Sequence, residues 1–460
     1  MSAEHRHACE RSRKLSVALA AVALLVAGCA TLDPYNVVGR ALPASAPMAD
    51  AETPEAIRRQ RAATVDLVWT TIAERYYRPD LNGVDWPAAR LRWRDRAVAA
   101  ATDDEFWDLL DRMTGELADS HTRVESPRTV ALRRAEQTRG LGLQLRELEN
   151  ALVVTGVHSD SDAWWAGVRP GMIVLAIAGE DALARWRQWA REARPVSSPQ
   201  AALRLPLRAL NRQAEAAMPQ GIELSFRRHD GSPLTARLRM ATYPAPPTAQ
   251  ARRLPADFAY VRFTAFRESL RQRVIDLIQE HADAPGMVLD LRGNGGGSAA
   301  MVDAIASSFF RDRTLLARTQ TRAGQPVAVA GVPLIRAERV AAGRPDAFMG
   351  PLAVLVDAGT GSAAEALASG LQANGRARVF GEISCGCLLA FLGHMRLPGG
   401  GELAYSEVGY TDVRGERVEG RGIVPDESIA PTIATLRDGR DRVLEAALAW
   451  LATRTKDDPR

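Results

Sequence analysis

Lysine is almost missing from this chain. Its 460 residues include 59 basic ones, yet the only lysines are Lys14 and Lys456, one near each end. No lysine is therefore placed to act as a buried amine base in the body. Arginine cannot take that role, because a guanidinium does not lose its proton in proteins. Cysteine is scarce as well. Cys9 falls in the leader and Cys29 directly after it, which leaves Cys385 and Cys387 for the body. With His394 these two fit no common zinc spacing, so no metal is expected. Long apolar runs are also lacking. The longest, Leu15 to Val26, is too short to span a bilayer comfortably. The net charge is only +4, with no basic patch that argues for nucleic acid.

What is present begins with a leader. A basic stretch ends at Lys14, the apolar run follows, and Val26-Ala27-Gly28-Cys29 closes it. Residues 1–28 read as a signal peptide. Small residues before a cysteine resemble a bacterial lipoprotein cleavage site. That resemblance implies cleavage before Cys29 and acylation of its thiol. Ala30, standing where an aspartate would retain the protein elsewhere, implies the outer membrane. A plain secretory signal is the simpler reading, and both export the chain. Residues 29–53 are rich in Ala and Pro and read as a tether. In an oxidising compartment a Cys385–Cys387 disulfide is chemically open, within a tight ring.

The body divides by pattern. Residues 54–137 read as helical, with stripes through Val65, Val68, Ile72 and through Phe106, Leu110, Met113, and a break at 79–83. That region ends in Asp119-Ser120-His121-Thr122. Residues 138–242 read as short strands, with a polar helical insertion over 181–217. Residues 253–450 alternate strands near 258–263, 286–291, 352–357 and 377–381 with helices near 266–281, 298–309 and 362–374. This alternation predicts an α/β layer built from crossovers. Residues 311–350 read as irregular, and the tail after Thr453 as disordered.

The most informative segment is Val354-Leu-Val-Asp-Ala-Gly-Thr-Gly-Ser362-Ala-Ala-Glu365. An apolar strand runs into a small-residue turn, and a serine opens a helix. The hydroxyl then sits at the positive end of the helix dipole beside free N–H groups. That suits a nucleophile whose reaction develops an oxyanion. Ser362 with Glu365 equally fits a capping box, which needs no chemistry. Asn294-Gly-Gly-Gly297 before a helix reads either as a phosphate cradle without its lysine or as an oxyanion donor.

Several motifs resemble known families. Gly140-Leu-Gly-Leu143 and Ala166-Gly167-Val168-Arg-Pro-Gly171 resemble a PDZ domain. The first implies a carboxylate-binding loop formed by Gly140, Leu141, Gly142 and Leu143, with Arg139 adding charge. An ordinary β-turn is the plainer alternative. Leu289-Asp-Leu-Arg-Gly-Asn-Gly-Gly-Gly297, Thr360-Gly-Ser362-Ala-Ala-Glu365 and Gly422-Ile-Val-Pro-Asp426 resemble the tail-specific, or carboxyl-terminal processing, serine peptidases and their tricorn-core relatives. The order of helical region, PDZ-like segment and core matches too. The implied fold is a crotonase/ClpP-like α/β core with an inserted PDZ-like β domain and an N-terminal helical region.

The family's serine–lysine design is excluded here by composition, and Cys387 stands at the lysine position. The tricorn-like design remains. It implies Ser362 as nucleophile and His121 as general base, with Glu419 orienting His121 through the Ser120 hydroxyl. It also implies an oxyanion hole of Gly295 or Gly296 N–H with Ala363 N–H. The implied activity is an exported, lipid-anchored endopeptidase acting on proteins or peptides, without cofactor. The rival is a silent peptide- or apolar-ligand-binding lipoprotein on the same scaffold.

Overall fold

The computed structural model describes residues 53–324, 328, 329, 332, 333 and 335–457. The signal peptide, Cys29 and nearly all of the tether lie outside the described residues. Among those described, no helix is long and apolar enough to cross a membrane.

The N-terminal region holds four helices, Pro54–Arg75, Trp86–Val98, Asp103–Gly115 and Pro127–Arg134, the first three before the Ser120-His121 segment. The break at 79–83 is present. A second one separates the second and third helices, because Thr102 caps Glu105 N–H and starts a new helix. The buried stripes of the first three pack with Leu397, Leu403 and Tyr405 from the far end of the sequence. Strand Arg123–Glu125 pairs antiparallel with Glu402–Ala404, which fastens the Ser120-His121 segment to the core.

The middle region is a β unit. Strands 143–148, 151–157, 173–177, 222–227 and 233–238 form one sheet, in which Leu143–Leu148 lies at an edge. The stretch 181–217 is more than a surface insertion. Its helices Ala182–Glu192 and Leu205–Ala216 put Trp186, Trp189, Leu210 and Ala214 into this unit's core.

The C-terminal core carries a six-stranded sheet. Strands 259–263, 287–290, 352–356, 378–381 and 427–428 run parallel, with 249–253 antiparallel at one edge. Leu352–Val356 is buried along its whole length, as a parallel strand covered on both faces must be. Helices Ala299–Ala306 and Ala363–Ala373 cover one face and helix Arg442–Asp457 packs on the other. That last helix runs through Thr453, so the tail is helical to Asp457 rather than disordered. The stretch 311–350 is also more regular than its composition suggests. Thr314–Thr321 and Glu338–Ala341 join Val408–Asp412 and Leu389–Ala390 in a second sheet. Its strands pair with segments far along the chain, a relation that local pattern does not carry.

Candidate active site

Ser362 follows the buried strand Leu352–Val356 and opens helix Ala363–Ala373. Its backbone sits at φ 53°, ψ −120°, a conformation that costs a non-glycine residue energy. Neighbouring loops hold it there. Its N–H donates to Cys387 O at 2.9 Å and to Glu365 Oε2 at 3.1 Å. Ser362 and Glu365 form a capping box, the Glu365 carboxylate accepting Ser362 N–H and the Ser362 hydroxyl facing Glu365 N–H, with no other hydrogen bond on that oxygen among the described residues.

Two loops are tied together behind the serine. Asp357 Oδ1 accepts Gly293 N–H at 2.8 Å, Gly359 N–H at 2.8 Å and Thr360 N–H at 3.0 Å. Asn294, fully buried, donates to Phe263 O at 2.9 Å, and its own carbonyl accepts Gly361 N–H at 3.0 Å. A Cβ at Gly296 would lie 2.6 Å from Ala363 N and 2.7 Å from Ser362 Cβ, so only glycine allows this approach. Gly296 N–H is spent on Asn294 Oδ1 at 2.9 Å. Among the described residues, Gly295 N–H and Ala363 N–H have no acceptor. Of the two glycines named from sequence, Gly295 is the one with a donor to offer. Asp290 and Arg292 pair at 2.7 Å, and Arg292 also binds Asp441.

Glu365 is fully buried and accepts from four donors: Ser362 N–H, Ser384 Oγ, Gly386 N–H and Cys387 N–H. It clamps the 384–387 loop to the nucleophile helix. Burial raises its pKa to about 7 against these hydrogen bonds. Cys385 and Cys387 are disulfide-bonded, so neither thiol is available as a base or a metal ligand. His394 lies apart from them, 3.7 Å from Glu125.

His121 approaches from the N-terminal region. Asp119 accepts its N–H at 2.7 Å and also binds Thr122 and Ser406, both at 2.6 Å. The ring is buried beside Phe391, with centroids 6.3 Å apart. Phe391 continues Leu388, Leu389 and Ala390, which line a small pocket of about 40 Å³ with Ser362. Both residues thus border the segment 387–391. No hydrogen bond joins them among the described residues, and His121 Nδ1 is buried without a partner. Desolvation lowers the His121 pKa to about 4, so the ring is neutral at neutral pH.

Glu419 accepts Leu388 N–H at 2.6 Å, next to Cys387. Burial, with the Asp119 and Glu365 charges adding, raises its pKa to about 8. Its hydroxyl neighbour is Ser197 rather than Ser120. Ser197 Oγ accepts Ser120 N–H at 2.9 Å, and Ser120 Oγ accepts Ser197 N–H at 3.2 Å. The contact expected between Glu419 and Ser120 is therefore bridged by Ser197, from a stretch read as an insertion. Only three-dimensional pairing reveals this residue; no local motif marks it.

At the loop 139–143, Arg139 pairs with Glu215 at 3.0 Å, and Leu141 N–H donates to Asn211 Oδ1 at 3.3 Å. Gly142 adopts φ 72°, and its carbonyl accepts His158 N–H at 2.8 Å. Leu141 and Leu143 are buried, and Gly140 packs against Asn211.

Comparison with known proteins follows this geometry. Residues 257–429 match the model of peptidase family S41, and residues 59–115 match the tricorn protease C1 domain. The residues similar to peptidase family S41 include Ser362 and the glycine loop 293–297. A carboxyl-terminal-processing protease of Synechocystis sp. is 26% identical over 396 residues, covering 83% of this chain and 85% of the relative. Putative tricorn protease homolog 2 of Streptomyces coelicolor is 24% identical over 401 residues, covering 81% of this chain but 30% of that protein. The crystal structure of mature CPAF superposes with a TM-score of 0.65 at 12% identity, covering 88% of this chain and 99% of that one. That last likeness is one of fold.

Proposed function

We propose that this chain is an exported, lipid-anchored serine endopeptidase of the tricorn-like design. Ser362 attacks the scissile carbonyl and forms an acyl-enzyme that water then hydrolyses. His121 takes the serine proton and returns it to the leaving amine. Gly295 N–H and Ala363 N–H receive the developing oxyanion, a pair worth a few kcal/mol of barrier (about 3 per donor removed). Glu419, through Ser197 and Ser120, orients the His121 segment. The β unit 138–242 acts as a PDZ-like domain that engages substrate C-termini.

The observation that carries this reading is the Ser362 geometry. The Ser362 hydroxyl stands on a strained helix-opening residue, beside two unengaged N–H groups, in a chain whose body has no lysine base. A neutral His121 ring bordering the same segment supports the choice of base. The lipid anchor rests on the Val26–Cys29 sequence alone.

The test is cleavage of an unfolded protein by the chain beside its Ser362→Ala form. Activity lost in the variant is expected. Activity retained in Ser362→Ala places the nucleophile elsewhere, and a folded chain inactive in both forms favours the binding rival.

A further inference from the structure

A large cavity lies away from the Ser362 pocket. It holds about 880 Å³ where the three regions of the chain meet. One wall is Arg123–Glu125, which starts two residues after His121. A second is Thr264, Ala265 and Arg267, flanking Phe266, whose N–H and carbonyl bind Gly296 O and Ser298 N–H. The third brings Thr138 and Arg139 from the start of the 139–143 loop, with Arg208 from helix Leu205–Ala216.

The cavity is lined by six arginines and three acidic residues. Four of the arginines are already paired: Arg123 and Arg133 with Glu125, Arg139 with Glu215, and Arg194 with Asp111. Asp111 is fully used, since its other oxygen accepts Val124 N–H at 3.1 Å. Among the described residues, Arg208 and Arg267 have no carboxylate partner and no side-chain hydrogen bond. Both are solvent-accessible. Arg194 is nine-tenths buried and leaves Nη1 without an acceptor. An anion entering here gains two unpaired guanidinium groups that the fold has not neutralised.

The 139–143 loop is occupied by comparison. Its arginine faces Glu215 and its Leu141 N–H faces Asn211, both from the chain's own helix. The unspent positive charge stands next door.

We propose that this cavity binds a carboxylate of the peptide substrate, with Arg208 and Arg267 as its cationic contacts. The proposal rests on the peptidase reading for the word substrate. The carboxylate is an Asp or Glu side chain or the peptide's own C-terminus, since both present the same group.

The test uses the full chain as Ser362→Ala, so that binding is read without turnover. Four labelled peptides share one sequence: neutral and amidated, neutral with a free C-terminus, two internal glutamates with an amide, and both features together. Fluorescence anisotropy at low salt should show carboxylate peptides binding about tenfold more tightly than the neutral amide. Arg208→Gln with Arg267→Gln should erase that gain and leave the neutral peptide unchanged. The paired lysine variants should keep most of it, and neither pair removes a native ion pair. A gain that follows the glutamates assigns the side chain, and one that follows the free terminus assigns the chain end. Equal binding of all four peptides, or a gain that survives the glutamine pair, overturns the proposal. Cleavage of the neutral amide by the chain with Ser362 intact is read in parallel. Its failure, with the carboxylate gain intact, overturns the peptidase reading and leaves the cavity standing.

Discussion

The two halves of the candidate site are held very differently. Around Ser362 the supporting side chains are spent, and Gly295 N–H and Ala363 N–H are left over for a substrate. Asp357, Asn294 and Glu365 together bind the glycine loop, the nucleophile turn and the 384–387 loop. Around His121 the backbone is tied by Asp119, but the ring has a buried nitrogen with no partner. One half is finished before substrate arrives, and the other has an unmet hydrogen bond. Apo catalytic contacts are often loose and tighten in the complex, so the contrast fits a site completed by substrate.

The largest expected effect strikes the loose half. His121→Ala should lower kcat by about a thousandfold. A loss below about tenfold, measured in steady-state kinetics, would remove His121 as the base.

The next strikes the tight half. Glu365→Gln leaves several of four donors mismatched and should cost about 3 kcal/mol in denaturant unfolding. It should also change the pH dependence. Glu365 holds its proton up to about pH 7 when folded, against 4.5 as its ordinary value. The folded state therefore binds more protons between those values, and this group's stability contribution falls as pH rises through them. His121 acts oppositely, since its pKa falls from 6.5 to about 4. There the unfolded state binds more protons, and stability rises with pH from about 4 to 6.5. Removing Glu365 should flatten the decline toward pH 7 and leave the rise attributed to His121. An unchanged profile would mean Glu365 does not titrate there.

A smaller effect reads the strain. Ser362→Gly should raise stability by about 1 kcal/mol while abolishing turnover, since glycine accepts φ 53° freely. Ser362→Ala keeps the strain and should gain nothing. Equal Tm values for the two variants would show the backbone to be unstrained.

The smallest effect concerns the bridge. Ser197→Ala should lower kcat several-fold by freeing Glu419 from the Ser120 segment, a loss of about 1 kcal/mol. Ser120→Ala should do less, because its backbone N–H still reaches Ser197. The reverse order would return the relay to Ser120.

Much of the core was legible in the sequence because its signals are local. The strands at 286–291 and 352–357 are short apolar runs bounded by turn residues, and both formed within a residue or two. The Ser362 turn declared itself through small residues before a helix. Three things were not legible. The second sheet pairs Thr314–Thr321 with Val408–Asp412, about ninety residues later, and the first strand, with Leu315 and Leu316 adjacent, carries no clear period. Ser197 stands beside Glu419 only because the 181–217 stretch folds against the core, where Ser198 also binds Cys385 O. The work of Asn294 and Asp357 is visible only in which N–H groups they collect.

The most direct test of the account is labelling of Ser362 by a fluorophosphonate, a reagent that reports an activated serine hydroxyl. The account predicts one labelled serine, lost in Ser362→Ala and slowed at least a hundredfold in His121→Ala. Labelling at the same rate without His121 would contradict it.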